Sequence, residues 1–196
     1  MSKLEFLFLV IITLFGVYPV THFPGSGPAI TLSFFLFGVF TVYKSVQLKS
    51  VTSLLLGTGY FFYLFGALFK LMHWPYAGLL LMLSILLVFG SALFFIELWK
   101  KEGNSLQKIS AFTINLGVLL LPIYFILLTF TTFSGQLLSS LFNTIPIFIV
   151  IPTLLLLITK PVLYRKKSIY SLLLIIAASE LAIGFRHLER FIVTLF

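Results

Sequence analysis

Only five acids occur in this 196-residue chain, Glu5, Glu97, Glu102, Glu180 and Glu189, and there is no aspartate and no cysteine. Without thiols, disulfide frameworks, thiolate zinc sites and cysteine-ligated iron–sulfur clusters are excluded. The carboxylates are too scattered to place a calcium loop, a two-metal site or a glycosidase pair. His22, His73 and His187 lack acids or thiols at ligand spacing, so no metal and no cofactor are expected. No phosphate loop, dinucleotide fingerprint, nucleophile elbow or kinase signature is present, and no catalytic residue is assigned. What remains is Glu180, the one acid well inside an apolar run, about twelve residues or roughly 18 Å from its start. A charge that deep in a membrane costs at least ~2.5 kcal/mol, and such residues face other helices, paired or protonated. Lys70, at the outer end of another run, is its candidate partner. Alternatively, Glu180 is a neutral acid bonded to a neighbouring helix, or its helix is interfacial and faces water.

The elements that must position these residues follow from composition. The chain is 60% hydrophobic, only 9% charged, and has a mean hydropathy of +1.17. A hydrocarbon layer of about 30 Å needs on the order of 20 apolar residues in a helix. Seven such runs follow one another: 4–20, 28–46, 52–72, 76–99, 108–133, 137–159 and 168–184. The connections are too short to hold a soluble domain, so residues 1–196 form a single transmembrane domain. The expected fold is an all-α, polytopic integral membrane helical bundle of six to seven transmembrane helices. The first and seventh runs are the shortest, and the seventh is followed by Arg186, His187, Glu189 and Arg190. Pro122, Pro146 and Pro152 predict packed kinks in the fifth and sixth runs.

The formal charge of +8 sets orientation instead of marking a nucleic-acid partner, because the basic residues are spread over short loops. With the N-terminus cytoplasmic, Lys3, Lys44, Lys49, Lys100, Lys101, Lys108, Lys160, Arg165, Lys166 and Lys167 lie inside, and Lys70, Arg186 and Arg190 outside. The first run closes in Val17-Tyr18-Pro19-Val20-Thr21 without a small-x-small cleavage pattern, which predicts an uncleaved span.

An offset of 51 residues lays His22-Phe23-Pro24-Gly25-Ser26-Gly27 over His73-Trp74-Pro75-Tyr76-Ala77-Gly78, and Leu32-Ser33 over Leu83-Ser84. Both His-aromatic-Pro tripeptides fall in outside turns, so residues 1–51 and 52–102 read as an internal repeat of helical hairpins in the same topology. Proline after the aromatic ends one helix and suits the start of the next. The aromatic and histidine rings anchor the turn at headgroup depth.

Gly66-Ala67-Leu68-Phe69-Lys70-Leu71-Met72-His73-Trp74-Pro75, continuing through Ala77-Gly78-Leu79-Leu80, closely resembles the transmembrane hairpin of the GldL-like gliding-motility proteins of Bacteroidota. The resemblance covers residues 52–99, about a quarter of the chain. It implies an inner-membrane location and a relation to complexes that use the proton gradient for gliding and secretion. Lys70 and the His73-Trp74-Pro75 turn carry over. The membrane glutamate central to the family's motor members does not, because Ser84-Ile85-Leu86-Leu87-Val88-Phe89-Gly90 holds no acid where that family places it. Glu97 comes later, beside Trp99-Lys100-Lys101, where a carboxylate snorkels to water. The long cytoplasmic tail of the motor proteins is also absent.

These features lead to the expectation of a non-enzymatic structural or accessory component of a bacterial inner-membrane complex. Its partners would be the lipid bilayer and other membrane proteins or further copies of itself. The alternative is a small transporter or ion-coupled channel using Glu180, Lys70 and the proline-broken sixth helix. Reporter fusions after Lys49, Lys100 and Arg165 are expected to report one side of the membrane and a fusion at Trp74 the other; Lys100 and Arg165 on opposite sides would break the hairpin pairing.

Overall fold

Apolar sequence in an apolar solvent leaves each peptide group only its own chain to bond with, and a helix satisfies all but the terminal groups. The computed structural model describes residues 1–17, 26–101, 105–130, 136–159 and 170–182, and apart from short turns these are helical. The elements are α1 (Lys3–Val17), α2 (Ser26–Leu48), α3 (Val51–Leu71), α4 (Ala77–Leu83), α5 (Ile85–Lys101), α6 (Ser105–Phe130) and α7 (Gln136–Thr159). An eighth helix, α8, spans Tyr170–Ala182. No strand occurs among the described residues. Three helical segments are long and apolar enough to cross a membrane: Thr31–Leu48, Val51–Lys70 and Ala77–Phe94. The first repeat turn, His22-Phe23-Pro24, lies outside the described residues, as do Glu102, 160–169 and the tail carrying Arg186, His187, Glu189 and Arg190.

Helix starts follow local chemistry. Ser2 and Glu5 form a reciprocal capping box: the Glu5 N–H donates to Ser2 Oγ at 3.1 Å and the Ser2 N–H to Glu5 Oε2 at 2.6 Å. Ser50 caps α3, its Oγ accepting from the Ser53 N–H at 3.3 Å. Lys49, with φ of 51°, reverses the chain between α2 and α3 in two residues.

The run 76–99 reads as one helix in sequence but breaks at Ser84 into α4 and α5. The buried Ser84 hydroxyl bonds back to the Leu81 carbonyl, and its N–H is shared among the carbonyls of Leu80, Leu81 and Met82. Serine competing for backbone acceptors in this way tightens and bends a helix. By contrast α6 and α7 continue through Pro122, Pro146 and Pro152. In α7 the Thr153 hydroxyl donates to the Ile149 carbonyl at 2.6 Å, beside the Phe148 carbonyl whose usual donor Pro152 lacks.

The helices pack in sequence, α1 on α2, α2 on α3, α3 on α4 and α5, α5 on α6 and α6 on α7. Centrally placed α3 buries Leu56, Tyr60, Tyr63, Leu64, Ala67 and Leu68. The short α8 is buried almost all round, with Leu181 alone exposed, the pattern of a helix enclosed by others. An interfacial α8 facing water, one of the alternatives open in sequence, is therefore overturned for residues 170–182. Its Ala182 meets Gly16 of α1, where an added Cβ would come within 2.9 Å of the alanine methyl. The small residues near Glu180 thus admit α1.

Two glycines set the closest approach. A Cβ on Gly59 of α3 would overlap the Leu87 backbone of α5, and a Cβ on Gly90 of α5 would overlap the backbone of Leu56 on α3. Backbone cannot rotate away as a side chain can. Gly59→Ala and Gly90→Ala are therefore expected to cost about 1–3 kcal/mol each by forcing the helices apart, read as a lower thermal midpoint of the purified protein in detergent. Gly38→Ala is the control, since its Cβ would meet the ring edges of Phe61 and Phe65 at 3.1 Å and those rings can tilt. Parent-like stability of Gly59→Ala would refute the close crossing.

Candidate functional site

Glu180 lies on α8 with no exposed surface. The Tyr60 hydroxyl, projecting from the middle of α3, donates to Glu180 Oε1 at 2.7 Å and also meets Ser179 Oγ. Ser179 in turn donates to the Ile176 carbonyl at 2.8 Å, one turn back on α8. Glu180 Oε2 is buried and has no hydrogen-bond partner among the described residues. The cluster is thus two hydroxyls, one carboxyl and one carbonyl, closed between two buried helices.

The arrangement bonds a buried carboxyl across a helix–helix contact: the Tyr60 hydroxyl of α3 donates to Glu180, while Ser179 is tied to its own helix through the Ile176 carbonyl.

Lys70 is not part of it. Tyr60, which marks the level of Glu180 on α3, is ten residues from Lys70, about 15 Å along the axis. Lys70 is instead half-buried in the last turn of α3, where its charge suits the carbonyl end of the helix. The transporter expectation that Glu180 and Lys70 line one path therefore loses its pairing.

The His73-Trp74-Pro75 turn is a Schellman termination of α3. The Trp74 N–H donates to the Phe69 carbonyl at 2.8 Å and the His73 N–H to the Lys70 carbonyl at 3.3 Å. His73 takes the left-handed position usually held by glycine, with φ of 54°. The accompanying hydrophobic contact is edge-to-face packing of Phe69 and Trp74, centroids 5.0 Å apart. Pro75 then blocks helix continuation, and Tyr76, also left-handed at φ of 68°, leads into α4. His73, Trp74, Pro75 and Tyr76 are all exposed. The geometry is that of a stop and an anchor.

A second polar cluster escaped the sequence reading. Lys44 reads there as an inside flanking charge, yet its side chain is only 1% exposed and forms a salt bridge with Glu5 of α1. Its ammonium donates to both Glu5 oxygens at 3.0 Å and to Gln47 Oε1 at 3.1 Å, using all three protons. The signal was present in part: Lys44 falls within the apolar run 28–46, and Ser2 and Glu5 have capping-box spacing. Tyr60 and Ser179 carried no such signal, since a hydroxyl in an apolar run is common and only packing selects its partner.

No family model matches this chain, and no curated protein or solved structure matches it either.

Tyr60→Phe and Glu180→Leu are expected to be coupled, singly and together, by about 0.5–2 kcal/mol in unfolding free energy, the range of interhelical hydrogen bonds in membranes. Lys70→Met with Glu180→Leu should be additive. Steric trapping or reversible denaturation in detergent reads both cycles. Additivity of the first pair would remove the hydrogen-bonded cluster, and coupling in the second would restore the lysine partnership.

Proposed function

We propose that this protein is a non-enzymatic, multi-pass component of a bacterial inner membrane, with its N-terminus cytoplasmic and six or seven helices spanning. It acts as a structural or accessory member of a membrane complex. One observation carries this reading: α3 is locked at backbone distance against α5 through Gly59 and Gly90, in the same stretch where Tyr60 closes on Glu180. Alternating access needs helices that separate around a polar path. Here the central crossing is a solid contact and the buried acid is spent on a neighbouring helix.

The hairpin 52–99 supports kinship with the GldL-like proteins through its turn, and the duplication of 1–51 and 52–102 extends that hairpin into a larger scaffold. A motor role does not come with the kinship. No carboxylate occupies Ser84–Gly90, and Glu180 on α8 is three turns of α3 away from Lys70. Partners are other membrane proteins or a second copy, reached through the outer faces.

Proteoliposomes with an internal pH dye and an imposed potassium diffusion potential test the reading. The expected result is proton flux no greater than in empty liposomes, unchanged by Glu180→Gln. Flux above background that Glu180→Gln abolishes would overturn it in favour of a proton-coupled channel or transporter. As a positive measure, the protein solubilised gently from its native membrane should migrate on blue native gels as a defined species heavier than the monomer in the same detergent. Migration as the monomer alone would also count against an assembly role.

A further inference from the structure

Between α5 and α6 runs a groove of about 320 Å³, lined by Ala92, Ile96, Phe112, Asn115, Leu116 and Leu119. Its walls are apolar except for Asn115, which is 7% exposed and whose buried Oδ1 has no hydrogen-bond partner among the described residues. Buried amide oxygens are normally satisfied, so one on the wall of an apolar groove that no described residue answers points to a donor entering the groove.

The charge at one end of the groove indicates which molecule brings that donor. Lys100 is one helical turn beyond Ile96 on α5, and Lys108 is one turn before Phe112 on α6, so both wall rows end in a lysine. Trp99 joins them, with Lys108 Nζ 5.0 Å from the centre of its ring. From Lys108 to Asn115 is seven residues, roughly 10 Å of helix.

We propose that this groove binds an anionic lipid: its phosphate rests on Lys100 and Lys108, one hydrocarbon chain fills the groove, and a hydroxyl or amide N–H below the phosphate donates to Asn115. Basic clusters flanking a membrane helix select anionic headgroups, and a chain in the groove covers Ile96 and Phe112. A neutral lipid leaves the lysines unused. A phosphate lipid without a donor leaves Asn115 unused.

The test uses the full-length protein in phosphatidylcholine nanodiscs containing either phosphatidic acid or ceramide phosphate, which adds amide and hydroxyl donors below the same phosphate. Native mass spectrometry of the released protein counts retained lipid. Both phosphate lipids should be retained over phosphatidylcholine, ceramide phosphate more strongly. Lys100→Gln with Lys108→Gln should cut retention of both by roughly tenfold. Asn115→Leu, close in volume, should erase the advantage of ceramide phosphate and leave phosphatidic acid unchanged. Ala92→Phe, which fills the groove without touching the charges, should reduce both. Retention of phosphatidylcholine at the same level, or indifference to the lysine changes, would overturn the site. An unchanged ceramide phosphate advantage in Asn115→Leu would overturn the role of Asn115. Because no step depends on proton flux or assembly size, the site stands or falls apart from the scaffold reading.

Discussion

The crossing of α3 and α5 is held by two absent side chains. In water, helices are driven together by burying apolar surface, but in lipid the acyl chains are as apolar as leucine and that drive disappears. Association then depends on dispersion, which falls away steeply with distance, so the closest approach gives the most attraction. Gly59 and Gly90 permit that approach by letting backbone touch backbone. Gly57 against the Ser45 side chain, Gly16 against the Ala182 methyl and Gly117 against the Ile149 side chain give room for close approach at the α2–α3, α1–α8 and α6–α7 contacts. The bulky residues serve elsewhere: Phe35, Phe89 and Phe112 are exposed on the outer surface, where lipid would meet them.

Once the helices are that close, polar groups between them must find one another. Two buried ionisable side chains lie at helix–helix contacts and are answered from the other side. Lys44 meets Glu5 across α1 and α2, and Glu180 meets Tyr60 across α3 and α8. The two solutions differ because their depths differ. Lys44 and Glu5 lie near the start of α1, with Glu5 partly open to solvent, so an ion pair is sustained there. Glu180 has no exposed surface and no cation partner among the described residues, and a hydroxyl answers it instead. Two buried oxygens have no partner among the described residues, Glu180 Oε2 and Asn115 Oδ1, and Asn115 lines the groove between α5 and α6.

The turn at residues 72–76 closes the α3–α4 connection by backbone geometry. Two left-handed non-glycine residues, His73 and Tyr76, are held there by the Schellman bonds and by the Phe69–Trp74 contact. A rigid turn keeps α4 against α3, which in turn sets Leu81 on Gly66, where an added Cβ would lie 2.7 Å from Leu81 Cγ.

Apolar runs in the sequence determined that the chain is helical and that it has segments able to cross a membrane, because hydropathy summed over about twenty residues needs no knowledge of neighbours. The helix stop at His73-Trp74-Pro75 was equally legible, since proline and its preceding residue act through local sterics. The break at Ser84 was not, because whether a serine bonds its own helix or another depends on what packs against it. The depth of Glu180 is visible in sequence, which leaves open Lys70, a bond to a neighbouring helix, or water as its partner. Charge complementarity suggested the lysine, whereas the choice between Lys70 and Tyr60 rests on the axial level at which α8 meets α3. That level is a relation between two helices and appears in no pattern along one chain. Tertiary structure alone decided that α8 is buried, that Lys44 is buried against Glu5, and that Asn115 Oδ1 has no partner among the described residues: each is a relation between helices, and packing in lipid is decided by contact distances that no single helix encodes.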